Sequence, residues 1–155
     1  MKLSRKASGG CSWELDPREA SLFLRLLRSY PVVGSPPTLP GSGHTADSEG
    51  AEALLRQSFA QQSEESRQEL RAWLEGAWPA KPTKKNVTLD LSEKRLEWLL
   101  HVFNDIRVGH WKKLGSPDHL DLPLKGWSLD QLGSWRDMQA SGFFETAILT
   151  ALNSN

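Results

Sequence analysis

A single cysteine, Cys11, stands in 155 residues. No disulfide can form within the chain, and a lone thiol of this kind fits a reducing, cytoplasmic compartment. An excess of either charge is missing too, because 19 Lys and Arg are balanced by 19 Asp and Glu. Nucleic-acid binders draw most of their affinity from neutralising phosphates, so a chain with no net positive charge does not read as one. Long apolar runs are absent: nothing approaches the ~20 residues of a membrane helix, and no membrane partner is expected. The opening MKLSRKASGG has positive charge but lacks the apolar core of a secretory signal.

The motifs that organise common chemistries are also missing. There is no Cys-x-x-Cys, no His-Glu-x-x-His, no Walker-type loop, no Gly-x-Ser-x-Gly and no Gly-x-Gly-x-x-Gly. Cys11 has no neighbouring His or helix N-terminus in sequence to activate its thiol. Gly41-Ser42-Gly43-His44 is not framed by a strand and a helix, so it is a weak phosphate loop. No cofactor, no metal and no catalytic residue is assigned, and the reading leans away from an enzyme.

What is present is a chain of 38% apolar and 25% charged residues, the length of one ordinary domain, with seven tryptophans spread through its ordered segments. In a chain short of aliphatic residues, such tryptophans read as core and core-edge packing groups. The strongest pattern lies in Ser92–Gly115. Leu96, Leu99, Phe103, Ile106, His110 and Leu114 recur at steps of three and four, widened by Leu100 and Trp111, which makes a helix with one buried face. Ser92 is its N-cap.

Other helices are marked by their starts. Asp16-Pro17-Arg18-Glu19 combines an N-cap, a first-turn proline and a capping box, followed by Leu22, Phe23, Leu26, Leu27 and Tyr30 at helical spacing until Pro31. Ser128 to Gln131 is a further capping box, opening a helix to about Leu152 that offers Leu132, Trp135, Met138, Phe143, Phe144, Ala147, Ile148 and Leu152 for burial. Gly142 inside it suggests a bend or a close helix crossing. Ser48–Trp78 is helical in composition, with Ala51, Leu54, Leu55 and Phe59 on one stretch and Leu70, Trp73, Leu74 and Ala77 on another. Nine polar residues, Gln61–Glu69, interrupt the stripe, and Ser66 with Glu69 resembles a capping box. Two helices with a break near Ser63 are therefore expected.

Lys2–Lys6 and Cys11–Leu15 flank Ala7-Ser8-Gly9-Gly10 as a hairpin, and the alternating Val87–Leu91 is the candidate third strand. The expected fold class is mainly α: a helical bundle of four to five helices with a small N-terminal β-hairpin and that third strand. It forms a single domain over 1–155, with a flexible Pro/Gly/Ser-rich loop at 31–47.

The candidate site residues are His101, Asn104, Asp105, Arg107 and His110, polar groups set in or beside the apolar stripe. They could line a pocket for an anion or a peptide carboxylate. The favoured reading is a core network tying this helix to its neighbours, since a buried Arg needs a carboxylate partner. His101 and Asp105 have the i, i+4 spacing of two metal ligands. Only Asp118-His119-Leu120-Asp121 could supply more, and nothing in the sequence brings the two groups together.

Glu97-Trp98-Leu99-Leu100-His101-Val102-Phe103-Asn104-Asp105-Ile106-Arg107-Val108 resembles the signature helix of a small bacterial family of unknown function. There an aliphatic run leads into Leu-Asn-Asp-Leu-Arg, then a Gly and a basic residue. Phe103 stands where the family has Leu, and Gly109 with Lys112 or Lys113 continues the pattern. The resemblance spans residues 87 to 152; the N-terminal half departs in its tryptophans and its long loop. It implies a cytoplasmic bacterial protein with a final helix packed on the signature, and, because family genes often lie near that of the Clp protease adaptor, a link to regulated proteolysis. It carries no catalytic residues. The function expected is a non-enzymatic protein-interaction or accessory module with a protein partner. The alternative is a small-molecule or anion-binding protein using a polar pocket on the central helix.

Overall fold

The computed structural model describes residues 2–6, 10–32, 46–78, 85–117 and 126–153. In chain order these form strands β1 (Lys2–Arg5) and β2 (Cys11–Leu15), helices α1 (Pro17–Arg28) and α2 (Ala46–Ala77), strand β3 (Val87–Leu91), and helices α3 (Glu93–Lys113) and α4 (Leu129–Asn153). The fold is mainly helical with one three-stranded sheet, as the sequence implied. Two compact units divide the chain: Met1–Val32 with Pro79–Asn155, and Val33–Trp78. Most of the loop expected at 31–47 lies outside the described residues, as do Gly41–His44 and the Asp118–Asp121 cluster.

In the first unit the sheet runs β1-β2-β3 and both pairings are antiparallel, with Arg5 opposite Cys11 and Cys11 opposite Leu91. Strict alternation sends Cys11, Trp13 and Leu15 of β2, with Val87, Leu89 and Leu91 of β3, into the core while Glu14, Thr88 and Asp90 stay exposed. Gly10 precedes β2 at φ +74°, and a Cβ there would strike the carbonyl oxygen of Leu91. Only glycine meets both demands at once.

The helix starts follow their sequence signals. Asp16 accepts hydrogen bonds from the Arg18 and Glu19 amides at 2.8 and 2.9 Å, and Glu19 Oε2 accepts from the Asp16 amide at 2.9 Å. These bonds, led by the one from Glu19, hold the Asp16 carboxyl below its usual range. Ser92 Oγ accepts from the Arg95 amide at 3.2 Å. Ser128 and Gln131 exchange the two bonds of a capping box at 3.0 and 3.2 Å.

The core of this unit is aromatic at its centre. Trp13, Phe23, Phe103 and Phe144 are fully buried, and their ring centroids lie 5.2 to 5.8 Å apart, mostly edge to face. Leu26, Leu96, Leu99, Ile106 and Ile148 surround them. The α3 stripe was read nearly as it lies, but Val102 and Gly109 are also buried, whereas Leu100, Trp111 and Leu114 are half-buried. At Gly109 a Cβ would come 2.7 Å from Val32 Cβ, so the chain beyond α1 crosses α3 at a point that admits no side chain. Trp13 is the fully buried tryptophan. The other six are half-buried, and Arg95 stacks its guanidinium 4.6 Å from the Trp98 ring.

In the second unit, α2 corrects the expectation of a break near Ser63: it is one helix of 32 residues. The polar stretch that interrupts its stripe is made of good helix formers, and its side chains bond along the axis. Gln61 donates to Glu65, while Arg67 and Gln68 both donate to Glu64, each at 3.0 Å. Pairs three and four apart support a helix without any burial. Leu54, Leu55 and Phe59 of that stripe are exposed.

Candidate functional site

The five polar residues of α3 do not converge. His101 and Asp105 lie on its exposed face. Asp105 accepts a long hydrogen bond, 3.4 Å, from the Tyr30 hydroxyl at the end of α1, and partial desolvation pushes its carboxyl above the usual range. Among the described residues no group of three or more His, Cys, Asp or Glu is placed to hold a metal ion. Asn104 and Arg107 occupy the side that faces α4. There Arg107 Nη2 donates to Asn104 Oδ1 at 3.1 Å, and Arg107 Nε pairs with the Glu145 carboxylate at 3.0 Å.

Glu145 was missed by sequence reasoning. It is polar on an otherwise apolar stretch of α4, and only the α3–α4 packing shows that it faces Arg107. Its side chain is 13% exposed against 46% for Arg107. Burial pushes its carboxyl above the usual range despite the neighbouring guanidinium. The pair is therefore a largely covered acid held by a half-exposed base, which makes Asn104–Arg107–Glu145 a strut between two helices.

His110 points the other way, into the packing of the first unit. It is 6% exposed, and neither ring nitrogen has a hydrogen-bond partner among the described residues. Burial lowers its pKa. The Asp137 carboxylate on α4 opposes that effect, while Lys113 and Arg25 reinforce it. Asp137 is itself held by Arg25 of α1 at 2.7 Å and by Arg136 at 3.3 Å. His110 is thus an imidazole that resists protonation, beside a carboxylate already claimed by two arginines.

A groove runs between α3 and α4, lined by Arg107, Val108, Trp111, Met138, Gly142 and Phe143 among others, with a volume of about 690 Å³. That lies within the ~300–1,000 Å³ typical of ligand sites. Phe143, expected in the core, is 51% exposed beside it, because consecutive Phe143 and Phe144 cannot share one helix face. Trp111 anchors the opposite wall and donates Nε1–H to the Pro117 carbonyl at 3.3 Å. Gly142 leaves the floor open: a Cβ there would meet only Arg107 Cδ, at an ordinary 3.7 Å. The crossing there is not a tight one, and α4 is continuous from Leu129 to Asn153.

Chemically the groove is an apolar trough with an internally neutralised ion pair at one end. Among its described lining residues there is no nucleophile–base pair. In comparisons with known proteins, no family model, no curated protein and no solved structure matches this chain.

Proposed function

We propose that this protein is a non-enzymatic protein-interaction module that uses the α3–α4 groove as its docking surface. The observation that carries the reading is the half-exposed Phe143 beside an open apolar trough, since aromatic anchors in desolvated pockets dominate interface energetics. The exposed Leu54, Leu55 and Phe59 of the second unit add a further apolar surface of the kind that marks interaction sites. The anion-binding alternative calls for an Arg107 without a carboxylate partner. Glu145 at 3.0 Å supplies one, which weighs against that alternative.

An accessory role in regulated proteolysis, in a bacterial cytoplasm, is the setting suggested by the resemblance of the α3 signature. Among the described residues no helix is long and apolar enough to cross a membrane. The test is affinity capture from native cytosol with wild type, Phe143→Lys and Arg107→Ala, each checked for folding by circular dichroism. Partners recovered by wild type and lost with folded Phe143→Lys support the reading. Equal recovery by both variants removes its basis.

A further inference from the structure

Packing of α3 on α4 brings His110 to the level of Asp137. Phe103 of α3 stacks on Phe144 of α4, with ring centroids 5.2 Å apart. Two turns further along the same face of α3 stands His110, and two turns back along α4 stands Asp137. Among the described residues, the charged groups that act on the imidazole are Asp137 on α4, Lys113 on α3 itself and Arg25 on α1. Asp137 is largely covered, and Arg25 Nη1 reaches both of its carboxylate oxygens, at 2.7 and 2.8 Å. Arg136 meets the same carboxylate at 3.3 Å. One acid thus holds a cation from α1 and one from α4, beside a buried imidazole of α3 whose two nitrogens make no hydrogen bond among the described residues.

Protonation of His110 adds a cation to this cluster, and the competition for Asp137 is decided by which cation has water to fall back on. Arg25 is half-exposed and Arg136 more so. Ion pairs at such exposure contribute little, and either guanidinium can be released into solvent. The imidazolium cannot. Enclosed and without a counter-ion, it would be an unpaired buried charge, a heavily penalised state. Release of Arg136 detaches nothing, because it neighbours Asp137 on the same helix. Release of Arg25 removes an ion pair between α1 and α4.

We propose that His110, Asp137 and Arg25 form an acid-sensitive latch: on protonation His110 takes Asp137 as its counter-ion and Arg25 is released, freeing α1 from this tie to α4. The aromatic cluster of Trp13, Phe23, Phe103 and Phe144 carries no titratable group at these pH values and keeps the unit folded while the latch opens. Burial delays protonation to below the ordinary histidine range, so the latch is closed near neutrality and opens in acid.

The test is a pH titration of the full chain, followed by nuclear magnetic resonance at the His110 ring and at the Arg25 Nε–H, with circular dichroism recorded on the same samples. As the pH falls, the Arg25 signal should move to the position of a free arginine with the same midpoint as His110, before helical signal is lost. In His110→Leu the Arg25 signal should stay in place over that range. Competition also works in reverse: Arg25→Gln leaves the carboxylate to the imidazole and should raise the His110 midpoint. Lys113→Gln, which removes a charge of the same sign without freeing Asp137, should raise it less.

An Arg25 signal that does not respond to His110 protonation overturns the proposal, as does one that moves equally in His110→Leu. Equal midpoints in Arg25→Gln and Lys113→Gln would reduce the effect to charge at a distance and remove the exchange of partners. Protonation of His110 only together with the loss of helical signal would replace the latch with global unfolding.

Discussion

His110→Leu should stabilise this protein, and more so in acid than at neutral pH. The imidazole is 6% exposed with both nitrogens unpartnered among the described residues. A buried polar group without a partner costs about 1–3 kcal/mol, so its replacement by an apolar side chain of similar size should recover on the order of that amount at pH 8. The acid term adds to it. Burial holds the folded-state pKa below the ordinary 6.5. Above that value neither state is protonated and the term vanishes. Below it the unfolded chain takes up a proton that the folded chain resists, so wild-type stability falls as pH drops from there through the folded-state pKa. The slope is at most about 1.4 kcal/mol per pH unit, the limit for one proton. A place in the last turn of α3 favours a protonated His by only about 0.3–1 kcal/mol, too little to offset burial. Urea denaturation at pH 8, 6.5 and 5.5 reads both terms. A variant less stable than wild type at every pH, or a difference that does not change between pH 8 and 5.5, would show that His110 has polar contacts and refute the reasoning.

Three further outcomes follow from the geometry. Arg107→Ala leaves the Glu145 carboxylate, 13% exposed, without its base and should lose about 1–2 kcal/mol at pH 7. Since the Glu145 pKa is raised in the folded state, the deficit should shrink as pH falls into the carboxylate range, and Glu145→Gln in the same background should restore most of it in chemical denaturation. Gly109→Ala places a Cβ 2.7 Å from Val32 Cβ; the overlap should outweigh the helix-propensity gain and destabilise by about 1–2 kcal/mol, whereas a higher melting temperature would mean that the crossing yields. Ser63→Pro should remove about 3 kcal/mol of helix stability and measurably reduce the helical circular dichroism signal, because α2 is continuous through that position; an unchanged spectrum would restore the break.

Local chemistry explains what the sequence made legible. The caps at Asp16, Ser92 and Ser128 and the alternation in Cys11–Leu15 and Val87–Leu91 are written in adjacent residues, and each matches an element start or a strand face. The α2 break was misjudged because a polar interruption in a stripe was equated with an interruption in a helix. Gln61, Glu64, Arg67 and Gln68 hold the helix through their own side chains instead. The candidate site was legible in its residues but not in its arrangement. His101, Asn104, Asp105, Arg107 and His110 share one helix, yet their partners come from elsewhere: Tyr30 from the segment after α1, Glu145 and Asp137 from α4. Neither the groove nor the exposure of Phe143 follows from periodicity, since both depend on how α3 and α4 meet.

The division of the chain has a consequence for its evolution and folding. The first unit is assembled from two stretches of sequence, and β2 pairs with β3 across everything that lies between Leu15 and Val87, the whole second unit included. That pairing closes a long loop, but the entropy of closure grows only with the logarithm of its length, about 0.6 kcal/mol for each doubling. Removal of Val33–Trp78 would shorten the loop roughly threefold and return on the order of 1 kcal/mol to the first unit. The insert can therefore lengthen, shorten or exchange its surface with little thermodynamic resistance from the sheet that spans it.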